Sequence, residues 1–238
     1  MKWRILGVAL ALFTSNGSTA ALQPDIVYLN RCAGSCTVYG GIDNAITSTS
    51  SLFSGTATLA AFPGSDATFD ALAACVRHVL LPFNIHVVAN NPGPVARREI
   101  MISTTASQIG ASNTPGLVPY DGNPHDNTIA MEFANAISTS NPEPLCHLAA
   151  QQVALLYALD YVVNCPDIMD GTVSCGEKSF TNLASACTGT LSGNPGHCFN
   201  NSTTQNSYLK ILAVASATDF VFVNSFEGFE VPRAGPSP

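Results

Sequence analysis

The sequence predicts an α+β fold with a buried central helix and a disulfide-tied C-terminal portion. Strand-like and helical runs alternate along the chain, a pattern typical of mixed α/β architectures. Hydrophobic residues make up 46% of the 238 residues and charged residues only 11%, so the chain can bury a substantial core. The eight cysteines are an even number, which favours disulfides once export is established.

Residues 1–20 are predicted to be a signal peptide. Lys2 and Arg4 form a positive start, residues 5–13 are apolar, and residues 18–20 (STA) form a small-residue cleavage site. A retained membrane anchor is the alternative, but the apolar run is well short of the roughly 20 residues that a span requires. We therefore expect a secreted or periplasmic chain with no integral membrane span after cleavage.

The mature chain is acidic. Cleavage after Ala20 leaves seven basic and sixteen acidic residues, a net charge of −9. Nucleic-acid binding requires clustered Lys and Arg to neutralise phosphates. The charge therefore argues against nucleic acid as a partner.

Residues 21–163 are predicted to form the core. Five runs rich in β-branched and aromatic residues predict extended segments. These are residues 25–30, 85–89, 99–103, 117–120 and 128–134. Residues 33–58, rich in Gly, Ser and Thr, predict a loop with an edge strand. Apolar residues spaced by three and four in residues 69–81 predict a helix that ends at Pro82.

The strongest helical pattern predicts a central helix over about residues 145–163. Its polar residues are only His147, Gln151, Gln152 and Asp160. A helix that is apolar on nearly every side is normally buried, because its exposure would forfeit roughly 25 cal/mol for each Å² of apolar surface. We therefore place this helix at the centre of the fold.

Residues 164–238 are predicted to form a cysteine-rich C-terminal portion with a last helix and a frayed tail. Thr203 or a near neighbour caps that helix, and the tail is residues 233–238. Residues 220–224 (FVFVN) predict a strand. Four residues are expected to share the apolar face of the helix: Tyr208, Leu209, Leu212 and Ala215.

The cysteine spacing predicts one disulfide, between Cys32 and Cys36. Only three residues separate them, so they can close a small loop. Eight cysteines permit 105 pairings, and the other partners stay open. No CxxC pair suggests zinc bound by thiolates.

Several segments in order resemble secreted bacterial proteins related to metzincin-type zinc metalloproteases. They are LNRC at 29–32, a helix ending in PF at 82–83, LCHLAAQQVALLYALDY at 145–161, CPDIMDG at 165–171, CGE at 175–177 and TQNSYLKIL at 204–212. The resemblance spans most of the mature chain, from Val27 to Leu212. It implies a mixed, twisted sheet packed on the central helix, with a zinc site on that helix. The family's central run reads approximately AQExxHxxGLDH, followed by DPM.

The zinc motif of the family is not preserved. Two ligands four residues apart lie on one helix face, and a neighbouring Glu activates the bound water. The aligned positions hold Gln151 for the first ligand, Gln152 for the Glu, Leu155 for the second His and Tyr161 for the third. Gln151 matches the family and the other three do not. None is a competent imidazole ligand or base, so we predict no catalytic residue, no metal and no cofactor.

Three neighbours of the motif bear on the local structure. Ala158 stands where the family has Gly, and Ala disfavours a left-handed break, so the sequence favours a helix that continues past Tyr161. Asp160 matches the family's Asp. Met169 matches the methionine that forms an apolar floor beneath the metal in metzincins, although an ordinary core methionine is an equal interpretation.

A replacement catalytic site has little support. His147 lies four residues before Gln151 and faces the same side of the helix. One interpretation is a weak single-histidine metal contact. The other is a histidine that only caps or packs near the helix start. No Gly-x-Ser-x-Gly elbow occurs. Acidic residues are few and scattered, which leaves a paired-carboxylate site unsupported. Four of them are expected at a helix end or on the surface: Glu132, Glu143, Asp160 and Asp167.

Three functions remain. The favoured one is an exported, non-catalytic protease-like protein that binds a peptide, a glycan or a partner protein. The second is a secreted zinc-dependent peptidase or other hydrolase with a displaced site that uses His147. The third is a structural component of an envelope or matrix.

Overall fold

Over the residues that the structure describes, the chain folds into two mixed sheets, one antiparallel sheet and three α-helices, an α+β arrangement. The computed structural model describes residues 25–171 and 175–215. The predicted signal peptide, the strand at 220–224 and the tail at 233–238 lie outside these residues. The elements in chain order are β1 Asp25–Asn30, β2 Ser35–Gly40, β3 Thr49–Ser50, β4 Thr56–Ala60, α1 Asp66–Leu80, β5 Ile85–Val88, β6 Arg98–Ser103, β7 Gly116–Leu117, β8 Thr128–Phe133, α2 Pro142–Leu156, β9 Val162–Val163, β10 Ala184–Cys187, β11 Thr204–Asn206 and α3 Ser207–Val214.

The central sheet has five strands in the order β5-β1-β6-β8-β7. The first four are parallel, and β7 pairs antiparallel with β8 at one edge. Every residue of β6 and β8 is buried, as expected for inner parallel strands that are covered on both faces. The predicted runs at 25–30, 85–89, 99–103 and 128–134 form β1, β5, β6 and β8.

Two helices cover one face of this sheet and a small sheet is associated with the other. The main core joins α1, α2 and side chains such as Leu29, Ile100 and Ala130. A second core contains Val38, Leu59 and Met131. The sheet β3-β2-β4 contributes to this second core. This sheet largely occupies residues 33–58, which were expected to form a loop with an edge strand. Strands form there because alternate residues such as Val38 and Ala57 are buried despite the Gly, Ser and Thr around them.

Helix α1 begins three residues before the predicted start. Ser65 caps it, and its side chain accepts a hydrogen bond from the N–H of Thr68. The apolar spacing begins only at Phe69, so the polar first turn carries a capping signal rather than a periodic one.

Helix α2 is the buried central helix, with ten of its fifteen residues buried. Asn141 caps its start, and its side chain accepts a hydrogen bond from the N–H of Glu143. The helix ends at Leu156, so the prediction of a helix over 145–163 is wrong at its C-terminal end. The break lies at Ala158, which has φ of 63°.

The end of α2 has the hydrogen bonds of a left-handed cap. The N–H of Ala158 donates to the carbonyl of Leu155 at 2.9 Å, and the N–H of Leu159 donates to the carbonyl of Ala154 at 3.1 Å. This pair of bonds is the usual way to end a helix with a left-handed residue. The expectation that Ala158 favours a continuous helix is therefore also wrong.

Strand pairing explains why the chain accepts this break. Val162 and Val163 leave the helix axis and pair with Cys187 and Ala186 of β10. The main-chain N–H of Asp160 bonds to the side chain of Gln205 at 2.8 Å. These contacts offset the left-handed conformation of an alanine, which costs about 1–2 kcal/mol.

The C-terminal region, residues 160–171 and 175–215, contains the sheet β11-β10-β9 and α3. Asn206 caps α3 through a bond from the N–H of Leu209, a near neighbour of the predicted cap. The predicted apolar face is wrong at Leu209, which is 51% exposed, whereas Ile211 is fully buried.

All eight cysteines form disulfides. Cys32 and Cys36 form the first, as their short spacing suggests, and Cys75 links α1 to α2 through Cys146. The C-terminal region holds the other two, Cys165–Cys175 and Cys187–Cys198. Four disulfides in one chain are typical of proteins of oxidising, extracellular-type compartments.

Among residues 25–171 and 175–215, no helix combines the length and apolar character needed to cross a membrane.

Candidate functional site

A cavity of about 470 Å³ opens beside the first half of α2. Its walls come from α2, from the segments on either side of the β7–β8 pair, and from the turn that follows Cys165. Most of the lining is aliphatic. The lining residues are Pro115, Ala136, Ile137, Pro144, His147, Leu148, Gln151, Ile168, Asp170, Gly171 and Lys178.

Two polar side chains of α2 face the cavity one turn apart. His147 and Gln151 are four residues apart and therefore share a helix face. The side-chain nitrogen of Gln151 donates to the carbonyl oxygen of Ile168 at 2.9 Å. The side chain of Gln151, at the position aligned with the first zinc ligand, thus links α2 to the turn after Cys165.

His147 has a lowered pKa. Burial is the main cause, and the positive charge of Lys178 acts in the same direction, while Glu143 and Glu177 act in the opposite one. A lowered pKa favours the neutral imidazole, which can donate or accept a hydrogen bond in the cavity.

Lys178 supplies a buried positive charge at the cavity wall. Its ammonium group donates to the main-chain oxygens of Asp170 and Asp167. Burial lowers its pKa, and the carboxylates of Asp170 and Asp167 partly oppose that shift. The sequence analysis missed this residue because nothing near Lys178 in the sequence distinguishes a buried lysine from a surface one.

The positions aligned with the zinc motif do not form a metal site. Of these four described residues, only Gln151 lines the cavity. Leu155 is packed in the main core, and Tyr161 is partly buried against that core. Burial raises the pKa of Tyr161, which disfavours the phenolate that a metal would need. The residues present therefore do not fit zinc.

Across the described part of the chain, no group of three or more His, Cys, Asp or Glu is placed to hold a metal ion. His147 is the only histidine in the cavity lining.

Asp160 joins the end of α2 to the C-terminal region. It is 3% exposed. Its carboxylate accepts hydrogen bonds from the N–H of Phe199 at 3.0 Å and from the ammonium of Lys210 at 3.3 Å. Gln205 bonds both its N–H and its carbonyl oxygen at 2.8 Å. These contacts give Asp160 a structural role.

Met169 is fully buried in the main core beneath α2. Its N–H donates to a carboxylate oxygen of Asp167 at 2.9 Å, and its carbonyl oxygen accepts from the N–H of Val162 at 3.1 Å. Asp167 is itself fully buried, contrary to the expectation of a surface position. The Asp167 carboxylate also accepts hydrogen bonds from the N–H and the hydroxyl of Thr181. These bonds offset the cost of burying the charge.

Glu132 contradicts most strongly the expectation of a helix end or a surface position. It lies on β8, has no exposed surface and has no hydrogen-bond partner for either side-chain oxygen. Burial raises the pKa of this carboxyl well above its usual range. The sequence offered one sign that Glu132 is buried, namely its position inside the otherwise apolar run TIAMEF at residues 128–133.

Gln152 lies on the sheet-facing side of α2 near Glu132. A Cβ atom placed on Gly116, the residue paired with Glu132, would lie 2.7 Å from the side-chain nitrogen of Gln152. The side-chain oxygen of Gln152 also has no hydrogen-bond partner. Sequence spacing identified Gln152 but could not show that its amide lies against Gly116 of β7.

Comparison of the chain with protein-family models, with curated proteins and with solved structures finds no match.

Proposed function

We propose that this chain is an exported, non-catalytic protein on a metalloprotease-like scaffold that binds an extended polypeptide segment. One aliphatic side chain of that segment would enter the cavity beside α2. The observation that carries the proposal is the aliphatic cavity next to the edge strand β7. The four disulfides support the exported location.

The chemistry at the aligned positions supports a non-catalytic role. The nitrogen of Gln151 is bonded to a main-chain oxygen, Leu155 has no lone pair and Tyr161 is a neutral phenol. Loss of a positioned base alone typically costs about 10²- to 10⁴-fold in rate. A scaffold without the base and the imidazole ligands lacks the groups that zinc-dependent hydrolysis would need at these positions, which favours binding as its role.

The position of β7 supports a polypeptide as the occupant. This strand is the last one of the central sheet, and Pro115, the residue before it, lines the cavity. A chain in extended conformation can add to such an edge through main-chain hydrogen bonds while alternate side chains enter pockets. The cavity volume lies within the range of ligand sites, roughly 300–1,000 Å³.

A peptide array tests this proposal. We expect the mature protein to bind a subset of immobilised peptides that share an aliphatic residue. Ala136→Trp, a change at an exposed residue of the cavity wall, should weaken this binding at least tenfold. Ala74→Trp, at an exposed position on α1, is the matched control and should bind as the unchanged protein does.

Two outcomes would overturn the proposal. Equal binding by Ala136→Trp would remove the cavity from the interaction. Selective binding of glycans, or of no peptide, would exclude a polypeptide as the occupant. Recovery of the chain in an insoluble extracellular fraction would favour a structural matrix role.

One observation supports the hydrolase alternative: His147 and Asp170 line the same cavity. The buried ammonium of Lys178 nearby opposes a metal cation there. Metal analysis of the dialysed protein decides the question. One tightly bound zinc per chain, lost in His147→Ala, would establish the displaced metal site and refute the non-catalytic proposal.

A further inference from the structure

Three buried oxygen atoms beneath α2 have no hydrogen-bond partner: both side-chain oxygens of Glu132 and the side-chain oxygen of Gln152. Glu132 has no exposed surface and Gln152 is 2% exposed. Buried polar groups in native proteins are nearly always paired. Three unpaired acceptors in one place therefore require a donor.

The sheet register brings these groups together. Glu132 is paired directly with Gly116 across the antiparallel β7–β8 ladder, and directly opposed residues project to the same face with Cβ atoms about 4.5–5.5 Å apart. A Cβ on Gly116 would lie 2.9 Å from the side-chain carbon and 2.7 Å from the nitrogen of the Gln152 amide. The amide thus occupies the space of the missing side chain, beside Glu132.

A proton on Glu132 supplies the donor. Its register partners are Ile102 on β6 and Gly116 on β7, and Gln152 approaches from α2, so none of these neighbours is charged. Burial alone raises the pKa of Glu132. A protonated carboxyl has one O–H donor, and the side-chain oxygen of an amide accepts it.

We propose that Glu132 is a neutral carboxylic acid that donates its O–H to Oε1 of Gln152 and thereby holds Nε2 of that amide toward β7. Glu132 is then a positioning residue. This role rests on the proposed function, because Nε2 becomes a fixed donor for a main-chain carbonyl of a polypeptide segment lying beside Gly116.

The protonation state of Glu132 determines which atom of the Gln152 amide, nitrogen or oxygen, points toward β7. An ionised Glu132 can only accept, so the amide would have to turn its nitrogen toward the acid and its oxygen toward β7. The neutral acid therefore makes the site a donor, and the ionised acid would make it an acceptor. A polypeptide carbonyl is matched only by the first arrangement.

NMR of the full mature chain tests the acid–amide pair without any ligand. With labelled Glu and Gln, we expect the Glu132 carboxyl carbon to show the protonated form at neutral pH. The side-chain amide protons of Gln152 should show a cross-relaxation contact to the Hα atoms of Gly116. A Glu132 that ionises like an exposed glutamate, or an amide without that contact, would overturn the pair.

Two variants distinguish the effect of the hydrogen-bond donor at residue 132 from the effect of the size of its side chain. Glu132→Gln keeps an N–H donor in the same place, so the contact between Gln152 and Gly116 should persist. Glu132→Leu removes the donor and should abolish that contact. Persistence of the contact in a folded Glu132→Leu would contradict the proposal, and the measurements on the unchanged protein stand even if this variant does not fold.

Binding of the array peptides tests the consequence. Glu132→Gln should bind within about twofold of the unchanged protein, whereas Glu132→Leu should lose about tenfold, the factor expected for one hydrogen bond. Equal affinity in Glu132→Leu would refute the positioning role. If the unchanged protein binds no peptide, the proposed function fails, while the NMR contacts still decide whether acid and amide pair.

Discussion

The helix–sheet region, formed by α1, α2 and the central sheet, and the C-terminal region satisfy their buried polar groups in different ways. Among the described residues, all seven buried side-chain atoms without a partner precede residue 157, and none lies in the C-terminal region. There, by contrast, Asp160, Asp167 and Gln205 each make two or more side-chain hydrogen bonds.

The amount of apolar burial accounts for this difference. The main core lies chiefly between the helices and the central sheet. It can offset the groups that stay unpaired beside the proposed Glu132–Gln152 bond, such as Arg98 Nε and Ser103 Oγ, each of which costs about 1–3 kcal/mol. The C-terminal region has short strands of two to four residues. It therefore depends on paired polar groups and on two local disulfides.

The largest expected effect concerns Glu132 and pH. The folded chain keeps this carboxyl protonated, but an unfolded glutamate ionises once the pH exceeds its usual pKa range. Stability present in acid is then lost as the pH rises toward the raised pKa of the folded state, by about 1.4 kcal/mol per pH unit. Glu132→Gln carries an amide that ionises in neither the folded nor the unfolded state, so its advantage in free energy of unfolding over the unchanged protein should grow as the pH rises above the usual glutamate range.

Urea unfolding at several pH values measures this growth. Asp70→Asn, at an exposed position on α1, is the control and should parallel the unchanged protein between pH 5 and pH 8. Parallel curves for Glu132→Gln as well would mean that Glu132 is ionised in the fold, and the contrast between the two regions would disappear.

The next effect concerns Asp160. Asp160→Ala removes the acceptors of the Phe199 N–H and of the Lys210 ammonium, so we expect the free energy of unfolding to fall by about 3 kcal/mol. Asp70→Ala, at an exposed position on α1, should change it by less than about 0.5 kcal/mol. Denaturant unfolding of both variants decides this. A loss below about 1 kcal/mol for Asp160→Ala would show that paired polar groups matter little in the C-terminal region.

The smallest effect concerns Ala158, where the two regions meet. Ala158→Gly relieves a left-handed alanine, and after allowance for the greater freedom of an unfolded glycine it should raise the free energy of unfolding by about 1 kcal/mol. Ala74→Gly, at an exposed position inside α1, should lower it by about 1 kcal/mol. Thermal unfolding gives both values, and the same sign for both would contradict the left-handed cap.

The sequence predicted elements that depend on local pattern and missed contacts between distant segments. The runs of β1, β5, β6 and β8 were recognisable because each is rich in the β-branched, aromatic and other apolar residues that favour strands. The end of α2 was not, since the pairing of Val162 with Cys187 and the bonds of Asp160 to Gln205 join residues far apart in the chain.

The candidate site shows the same limit. Gln151 and His147 could be assigned to one helix face from their spacing alone. The partners of that face, Ile168 and Lys178, come from a segment without periodicity. The Gln152 amide lies against Gly116, which the register of β7 pairs with Glu132. A two-residue strand such as β7 is too short for its register to be predicted from the sequence.

The disulfide between Cys75 and Cys146 closes a covalent ring around the stretch that contains β5, β6, β7 and β8, four of the five strands of the central sheet. Proteins of extracellular-type compartments meet hydrolytic enzymes, and a single cleavage in any loop of that stretch would open the ring without releasing a fragment. The severed ends would stay tethered through α1 and α2, so the sheet could survive damage that would divide an unlinked chain in two.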